Sequence, residues 1–270
     1  MAKKRTKKQS KFWEYLGKAL LFIIKIPYYI VKGIIKIIKK ISKKSKEDKI
    51  KTKRESIKAK YVPFKIIESI EGNYKNWFDK TIESDSQIGI ILGARGSGKT
   101  AFGVKLLENI YSKNKEKCFA IGFKPEEFPS WIKVISDISK LENDSWVLID
   151  EGGILFSSRN SMSKANKMLS QLILIARHKN INIIFISQNS SNLEINILRQ
   201  ADFLALKPSS LLQKEFERKI IQKIYSNTQD KFRKYSKDKG LTYIYSGNFR
   251  GFVSNPLPSF WKEEISKSFK

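Results

Sequence analysis

The sequence predicts an α/β protein in which a mostly parallel sheet lies between layers of helices. Three stretches support this prediction, because each is an apolar strand that ends in a polar or glycine-rich turn. They are "QIGIILGARGSGKT", "WVLIDEGG" and "ARHKNINIIFISQ". Since the carboxyl ends of parallel strands meet at one edge of a sheet, we expect the three turns to lie close together.

The first turn, Gly93 to Thr100, is a G-x4-GK[ST] phosphate loop in its strand–loop–helix setting. Its glycines let the backbone curl so that successive N–H groups face a phosphate, and the start of the following helix adds partial positive charge. We expect Lys99 to contact the β- and γ-phosphates of ATP and the hydroxyl of Thr100 to bind Mg²⁺. The predicted nucleotide-binding residues are Gly93, Ala94, Arg95, Gly96, Ser97, Gly98, Lys99, Thr100 and Ala101.

The second strand delivers two carboxylates, Asp150 and Glu151, at its carboxyl end. Asp150 can hold Mg²⁺ through water, and Glu151 is placed to polarise an attacking water. Kinases of small molecules need no such glutamate, because the hydroxyl of their substrate is the nucleophile. The pair therefore favours hydrolysis over transfer to a substrate hydroxyl.

The third strand, Ile181 to Ser187, is expected to insert between the other two. That arrangement predicts a three-layer P-loop NTPase fold of the additional-strand (ASCE, RecA-like) type, with a helix from about Ser161 leading into the strand. Gln188 would then face the γ-phosphate, where its amide can hydrogen-bond both the phosphate and the lytic water. The alternative is a strand-end amide that caps the turn at "NSS".

In this order, "GARGSGKT", "VLIDEGG", "ARHKNINIIFISQ" and "LRQADF" resemble the FtsK/HerA superfamily of DNA-pumping ATPases. They are similar to its small viral members, the genome-packaging ATPases and the Zot-like assembly ATPases of filamentous phages. The resemblance covers residues 85–207 and implies a ring in which an arginine before the glutamine strand reaches the neighbouring subunit's nucleotide. Arg177 matches that position, and Arg159 and Arg199 are reserve candidates. The alternative for Arg177 is a cation at a helix C-terminus.

The charge of the chain is strongly positive, with 53 Lys and Arg against 26 Asp and Glu and a net charge of +27. Residues 1–60 hold 21 of the basic and 4 of the acidic residues, which leaves a net +10 for the rest. Such a balance indicates a polyanionic partner, either nucleic acid or an anionic membrane. A single cysteine, Cys118, excludes an intrachain disulfide, and a single histidine, His178, argues against zinc. The cysteine and histidine counts favour an intracellular protein, and the resemblance to viral ATPases implies a host cytoplasm, with the chain peripheral at a membrane or associated with a virion.

Residues 13–42 predict a basic amphipathic helix. Lysines at 18, 25, 32 and 39 form one stripe on an otherwise apolar surface, and Pro27 would kink the helix. No apolar run reaches the length of about 20 residues that a spanning helix needs. An interfacial helix on an anionic membrane is favoured over docking on the protein's own core or on a neighbouring subunit.

The predicted domains are an N-terminal extension with its linker, residues 1–60, and an ATPase domain, residues 61–270, whose core is 85–207. In the remaining part, 208–270, "SLLQKEFERKIIQKIYS" predicts one helix, and "LTYIYSGNFRGFVSNP" predicts a hairpin that turns at Gly247 and Asn248. We expect a packed edge ribbon there, rather than aromatic residues that stack on bases or line a pore. The residues concerned are Tyr243, Tyr245, Phe249, Arg250 and Phe252.

These observations predict an ATP-hydrolysing motor that moves double-stranded or single-stranded DNA, with viral genome packaging as its setting. The expected partners are a homo-oligomeric ring, a hexamer being favoured, and capsid or membrane proteins of a virion. One alternative is a Zot-like, membrane-associated ATPase that drives virion assembly and extrusion. Another is a membrane-tethered nucleotide switch or scaffold, against which the intact Glu151 argues.

Overall fold

The computed structural model describes residues 32, 36, 48–151, 162–193 and 195–267. It contains two compact units, Met1–Lys53 and Arg54–Lys270. The described residues of the first unit are helical. None of the helices in the described part of the chain has the length and apolar character needed to cross a membrane.

Several sequence predictions lie outside the described residues. They concern most of the amphipathic helix of residues 13–42, the reserve candidate Arg159, and the helix start at Ser161. The boundary predicted at residue 60 stays a prediction.

The second unit is organised around a nine-stranded sheet, as far as the described residues go. The order of its strands is β1-β9-β8-β7-β2-β6-β5-β3-β4, and the six strands from β7 to β4 are parallel. The strands are β1 Lys65–Gly72, β2 Ile88–Leu92, β3 Lys117–Ile121, β4 Ile132–Ile135, β5 Ser145–Asp150, β6 Ile181–Ile186, β7 Phe203–Leu206, β8 Leu241–Ser246 and β9 Phe249–Ser254.

Helices cover both faces of this sheet. Besides the helical residues 48–56, the described helices are α1 Tyr74–Ile82, α2 Lys99–Asn114, α3 Met162–Lys179, α4 Ile195–Arg199, α5 Leu211–Glu215, α6 Lys219–Lys234 and α7 Glu263–Lys267. Apolar residues of α1 and α2 pack in one buried cluster with one face of the strands, and those of α3 and α6 pack in a second cluster with the other face. Because side chains alternate along a strand, Leu148 joins the first cluster and Val147 the second.

The predicted insertion of the glutamine strand is confirmed. Strand β6 pairs in parallel with β2, where Ile183 lies opposite Ile88, and with β5, where Ile183 lies opposite Val147. Its six residues are all buried, as expected for a strand covered on both faces. The three-layer, mostly parallel P-loop NTPase fold of the additional-strand type is therefore confirmed.

The C-terminal hairpin is confirmed as a hairpin, but its predicted position is wrong. Strands β8 and β9 flank Gly247 and Asn248, as expected. The hairpin is not an edge ribbon, however, because β8 pairs with β7 and β9 pairs with β1, which forms the edge. Tyr243 and Phe252 are buried, and the Arg250 guanidinium pairs with a carboxylate oxygen of Glu71 at 2.9 Å. The sequence prediction missed β1 and so left the hairpin without a neighbour.

The single helix predicted from Ser210 is interrupted. Helix α5 ends at Glu215, and α6 starts at Lys219 after an extended Arg218. Glu217 is buried in the gap and accepts a hydrogen bond of 2.7 Å from the backbone N–H of Ser190. This long-range contact outweighs the helical pattern of the sequence.

Lys207 is a buried cation at the end of β7. Its ammonium donates hydrogen bonds to the carbonyl of Gly240 at 3.0 Å and to the side-chain oxygen of Asn255 at 2.7 Å, and it lies 5.3 Å from the ring centre of Phe102. Burial, with a smaller contribution from the charge of Lys99, lowers the pKa of Lys207 to about 7. Lys207 thereby joins β7 to both ends of the hairpin without a carboxylate at hydrogen-bonding distance among the described residues.

Replacement of Lys207 by Met should flatten the pH dependence of stability. Between pH about 7 and 10, an unfolded chain keeps this lysine protonated and the folded chain does not, so the free energy of unfolding rises with pH by up to about 1.4 kcal/mol per unit. Below pH 7 both states bind the proton and the contribution is constant. Urea unfolding of wild type and Lys207→Met at pH 7, 8 and 9 measures the difference in slope.

The matched control is Lys219→Met, which removes a lysine at an exposed position. The free energy of unfolding of this variant should change with pH as steeply as that of wild type. Parallel curves for Lys207→Met and wild type would show that the buried lysine keeps its proton throughout this range.

Candidate active site

The phosphate loop connects β2 to α2 and forms part of the wall of a cavity of about 700 Å³. Gly96 and Gly98 have φ of 76° and 87°, values that residues with a Cβ rarely adopt. Gly98 precedes α2 and offers no side chain to cap it. The loop and the start of α2 therefore have the geometry of an anion site made from backbone N–H groups.

Lys99 is largely buried and lies across its own loop. Its ammonium donates to the carbonyls of Gly93 at 2.8 Å and Ala94 at 2.9 Å. These two bonds hold the ammonium at the cavity, and a lysine has a third N–H for a phosphate oxygen. Burial lowers the pKa of Lys99 to about 8, although the charges of Asp150 and Glu151 oppose the shift.

The two predicted magnesium ligands lie together. The hydroxyl of Thr100 donates to a carboxylate oxygen of Asp150 at 3.5 Å, and both residues line the cavity. A hydroxyl and a carboxylate beside a phosphate loop fit Mg²⁺, which prefers oxygen ligands and usually retains water and substrate phosphate in its shell. Clusters of three or more His, Cys, Asp or Glu are absent from the described residues, and such a site requires none.

Glu151 follows β5 directly and is almost completely buried, with 4% of its surface exposed. The hydroxyl of Ser187 donates to one of its carboxylate oxygens at 2.5 Å. Burial raises the pKa of Glu151, whereas hydrogen bonds from Ser187, from the backbone of Gln188 and from the side chain of Asn192 lower it. Since burial is the larger effect, Glu151 is a stronger base than an exposed glutamate and is held in a fixed orientation.

Gln188 lines the same cavity as Lys99, Thr100 and Asp150. Its backbone carbonyl accepts a hydrogen bond of 2.5 Å from the side-chain amide of Gln213. The following turn is capped by Asn189, whose side-chain oxygen accepts from the backbone N–H of Ser191 at 2.7 Å. The turn thus has its own cap, and Gln188 is placed where its side chain can reach a ligand of the cavity.

A polar cluster fixes the turn after Gln188 to the break between α5 and α6. Glu217 accepts from both the backbone N–H and the hydroxyl of Ser190, and from Gln213 at 3.1 Å. Arg218 donates from its backbone N–H to the hydroxyl of Ser190 at 2.9 Å and from its side chain to the Ser190 carbonyl at 3.0 Å. Gln213 therefore bonds to both Gln188 and Glu217.

Arg177 is not among the residues that line the cavity. It is exposed near the C-terminus of α3, just before β6. The six residues of β6 separate it from Gln188, and six strand residues span roughly 20 Å. Arg199 is likewise exposed at the end of α4, before β7 starts, and does not line the cavity.

Four residues around the phosphate site were not predicted. They are Ser187, Lys207, Leu257 and Trp261. Ser187 could have been identified by its position next to Gln188, and Lys207 by its position at the end of an apolar strand. Leu257 and Trp261 line the cavity although they follow the last recognised motif by some 50 residues, and nothing in their local pattern indicates this contact. Cys118 is a free, buried cysteine.

Residues 103–234 match the family described as "Zonular occludens toxin (Zot)". The matched segment runs from within α2 to the end of α6, so it contains Asp150, Glu151 and Gln188, while the phosphate loop immediately precedes it. It amounts to just under half of the chain. The resemblance predicted from the motifs is confirmed by this match. No curated protein matches the chain by sequence.

Solved structures with a similar fold include B204, the DNA-packaging ATPase from Sulfolobus Turreted Icosahedral Virus. It is 15% identical, with a TM-score of 0.46, over 64% of this chain and 98% of that chain. The pCW3 conjugation coupling protein TcpA is 14% identical, with a TM-score of 0.44, over 68% of this chain and 64% of its own. EssC (ATPases 2 and 3) from Geobacillus thermodenitrificans is 13% identical, with a TM-score of 0.42, over 79% of this chain and 48% of its own.

Proposed function

We propose that the chain hydrolyses ATP and uses the reaction to move DNA. Hydrolysis is supported above all by Glu151, a buried carboxylate that follows Asp150 at the end of β5 and bonds to Ser187, which lines the cavity. A buried acidic side chain costs free energy unless the site uses or compensates it. At this position, next to a phosphate loop, its use is to accept a proton from a water that attacks the γ-phosphate.

The chain's own residues divide the work of this reaction. Lys99 and the loop N–H groups bind the phosphates, and Glu151 orients and deprotonates the water. Hydrogen bonds from Ser187, from the backbone of Gln188 and from the side chain of Asn192 orient Glu151 for this role. Mg²⁺, held by Thr100 and Asp150, would neutralise part of the phosphate charge. Gln188 is placed to bond the γ-phosphate and to report its loss to the turn that follows.

DNA is the polyanion that best fits the charge and the motifs. The net charge of +27 includes about +10 outside residues 1–60, so the ATPase domain is basic on its own. Such a domain binds a phosphate backbone without reading its sequence. The motif resemblance to DNA-pumping ATPases adds translocation through a ring, with a hexamer favoured and genome packaging as the setting.

A Zot-like role at a membrane is the second candidate, because residues 103–234 match the Zot family. In this alternative, residues 13–42 lie on an anionic membrane surface and the ATPase drives virion assembly and extrusion. Both candidates place the protein in a host cytoplasm, peripheral at a membrane or associated with a virion. Both also involve capsid or membrane proteins as partners. A nucleotide-dependent scaffold would bind ATP without turnover.

Glu151→Gln should bind ATP and fail to hydrolyse it. The amide keeps the shape of the side chain and can still accept from Ser187, whereas a water-activating base is lost, so turnover should fall about 10²-fold or more. Steady-state hydrolysis and equilibrium ATP binding measure the two properties separately. Lys99→Ala is the control that should lose binding. Hydrolysis by Glu151→Gln above about a tenth of the wild-type rate would exclude Glu151 as the base.

DNA should stimulate ATP hydrolysis by the full chain, and the stimulation should weaken as salt rises, because binding releases condensed counterions. Single-stranded and double-stranded DNA and anionic liposomes are compared in the same assay.

A variant with serine at Lys18, Lys25, Lys32 and Lys39 should keep the response to DNA and lose liposome binding, since each lysine contributes about 1 kcal/mol at an anionic surface. Stimulation by liposomes and not by DNA would favour the Zot-like role, and no response to either would favour the scaffold.

Arg177 should act on the nucleotide of a neighbouring subunit. Arg177→Ala should reduce hydrolysis about 10³-fold, the usual value of an arginine finger. Mixtures of Arg177→Ala and Lys99→Ala subunits should regain activity, because one hybrid interface pairs an intact loop with an intact arginine. Arg233→Ala is the matched control, because it removes an exposed arginine in the last turn of α6, and it should hydrolyse ATP like wild type. If no mixing ratio restores activity, Arg177 is a structural residue at a helix end.

A further inference from the structure

The C-terminal segment contributes a wall to the nucleotide cavity. Besides the phosphate loop and the ends of β5 and β6, the cavity is lined by Leu257, Trp261, Glu263 and Ser266. Its volume of about 700 Å³ exceeds what a triphosphate alone requires. The cavity thus has a cationic, N–H-rich portion and a second portion supplied by residues 257–266.

This segment is fixed to the phosphate-loop helix by a buried ion pair. The ammonium of Lys105 lies 2.8 Å from a carboxylate oxygen of Glu108, and both side chains are buried within α2. Glu108 accepts a further hydrogen bond of 3.0 Å from the backbone N–H of Ser259 and another from its hydroxyl. The position of residue 259 is therefore set by α2 itself.

Two apolar anchors hold the segment on either side of Trp261. Phe260 is buried, with its ring centre 5.7 Å from that of Trp131 and 6.1 Å from that of Phe128. Ile265 is completely buried, and α7 contacts α2. The backbone at Trp261 is therefore held between two buried side chains.

Packing of the core does not account for Leu257, and it accounts for only part of the surface of Trp261, which packs against the first buried cluster. Leu257 is 59% exposed and Trp261 is half-buried, whereas Phe260 and Ile265, in the same segment, are buried. Apart from Ala101 and Ile186, they are the apolar residues among those that line the cavity. A nucleotide has one anionic half and one planar, weakly polar half, and the loop with Lys99, Thr100 and Asp150 suits only the first.

We infer that Leu257 and Trp261 form the nucleoside subsite, in which the base of the nucleotide stacks on the indole of Trp261 and contacts Leu257. Stacking on an aromatic side chain strengthens binding of a base by about 1–3 kcal/mol, and it tolerates any base because each has a π-face. The inference rests on the proposed binding of ATP at the phosphate loop. It adds a recognition surface from outside the segment that matches the Zot family.

The test compares ATP with inorganic tripolyphosphate, which carries the phosphates and lacks the nucleoside. Both are titrated, with Mg²⁺, into the full chain and its variants by calorimetry. Trp261→Ala should weaken ATP about tenfold or more and tripolyphosphate less than twofold. Trp261→Phe should retain most of the affinity for ATP, because a phenyl ring still stacks. Leu257→Ser should weaken ATP alone, and it serves as the second variant if Trp261→Ala does not fold.

Leu174→Ser is the matched control, since Leu174 is 72% exposed and does not line the cavity. It should bind both ligands like wild type. Equal losses of ATP and tripolyphosphate in a folded Trp261→Ala would make the tryptophan a support of the loop and overturn the inference, and so would unchanged binding of both. A wild-type chain that binds neither ligand, or a Lys99→Ala variant that binds both normally, would instead refute the phosphate site on which the proposed function depends.

Discussion

The position of β6 between β2 and β5 determines which side chains meet in the active site. Parallel pairing on both sides brings the carboxyl ends of the three strands to one edge, so the phosphate loop, Asp150 and Gln188 line one cavity, and Glu151 follows Asp150 at the end of β5. Because Glu151 bonds to Ser187, the proposed general base is oriented by the segment after β6 that also carries Gln188. A change of register in β6 by one residue would turn each of its side chains to the opposite face of the sheet and would move Ser187 away from Glu151.

The phosphate loop in turn depends on the C-terminal third of the chain. The backbone N–H of Ala94 donates to the Pro208 carbonyl at 3.1 Å, and the backbone N–H of Lys207 donates to the Leu92 carbonyl at 2.8 Å. A Cβ on Gly93 would lie 2.5 Å from that of Lys207, so glycine is required there for close approach as well as for curvature. Tyr225 of α6 donates to the Lys207 carbonyl at 3.0 Å and completes this support.

Features with a strong local pattern were predictable from the sequence, and those that depend on long-range contacts were not. The glycine spacing of the loop, the apolar strands and the Asp-Glu pair gave the fold class and the order of the central strands. The break at Glu217 was not predictable, because the helical pattern continues through it and Ser190, which stabilises the break, is 27 residues away. Edge strand β1 and the wall formed by Trp261 depend in the same way on partners far along the chain.

The polar cluster around Glu217 connects Gln188 to α5 and to the start of α6. The Gln188 carbonyl is bonded to Gln213, and the turn beyond it is bonded to Glu217 and Arg218, so α5 and the start of α6 are fixed to it. If Gln188 moves when its contact to the phosphate is lost, either these hydrogen bonds break or α5 and the start of α6 move with it. Leu212, Phe216 and Ile220 project from this region and are 75%, 69% and 55% exposed. An exposed apolar surface therefore lies on the helices that would move with Gln188.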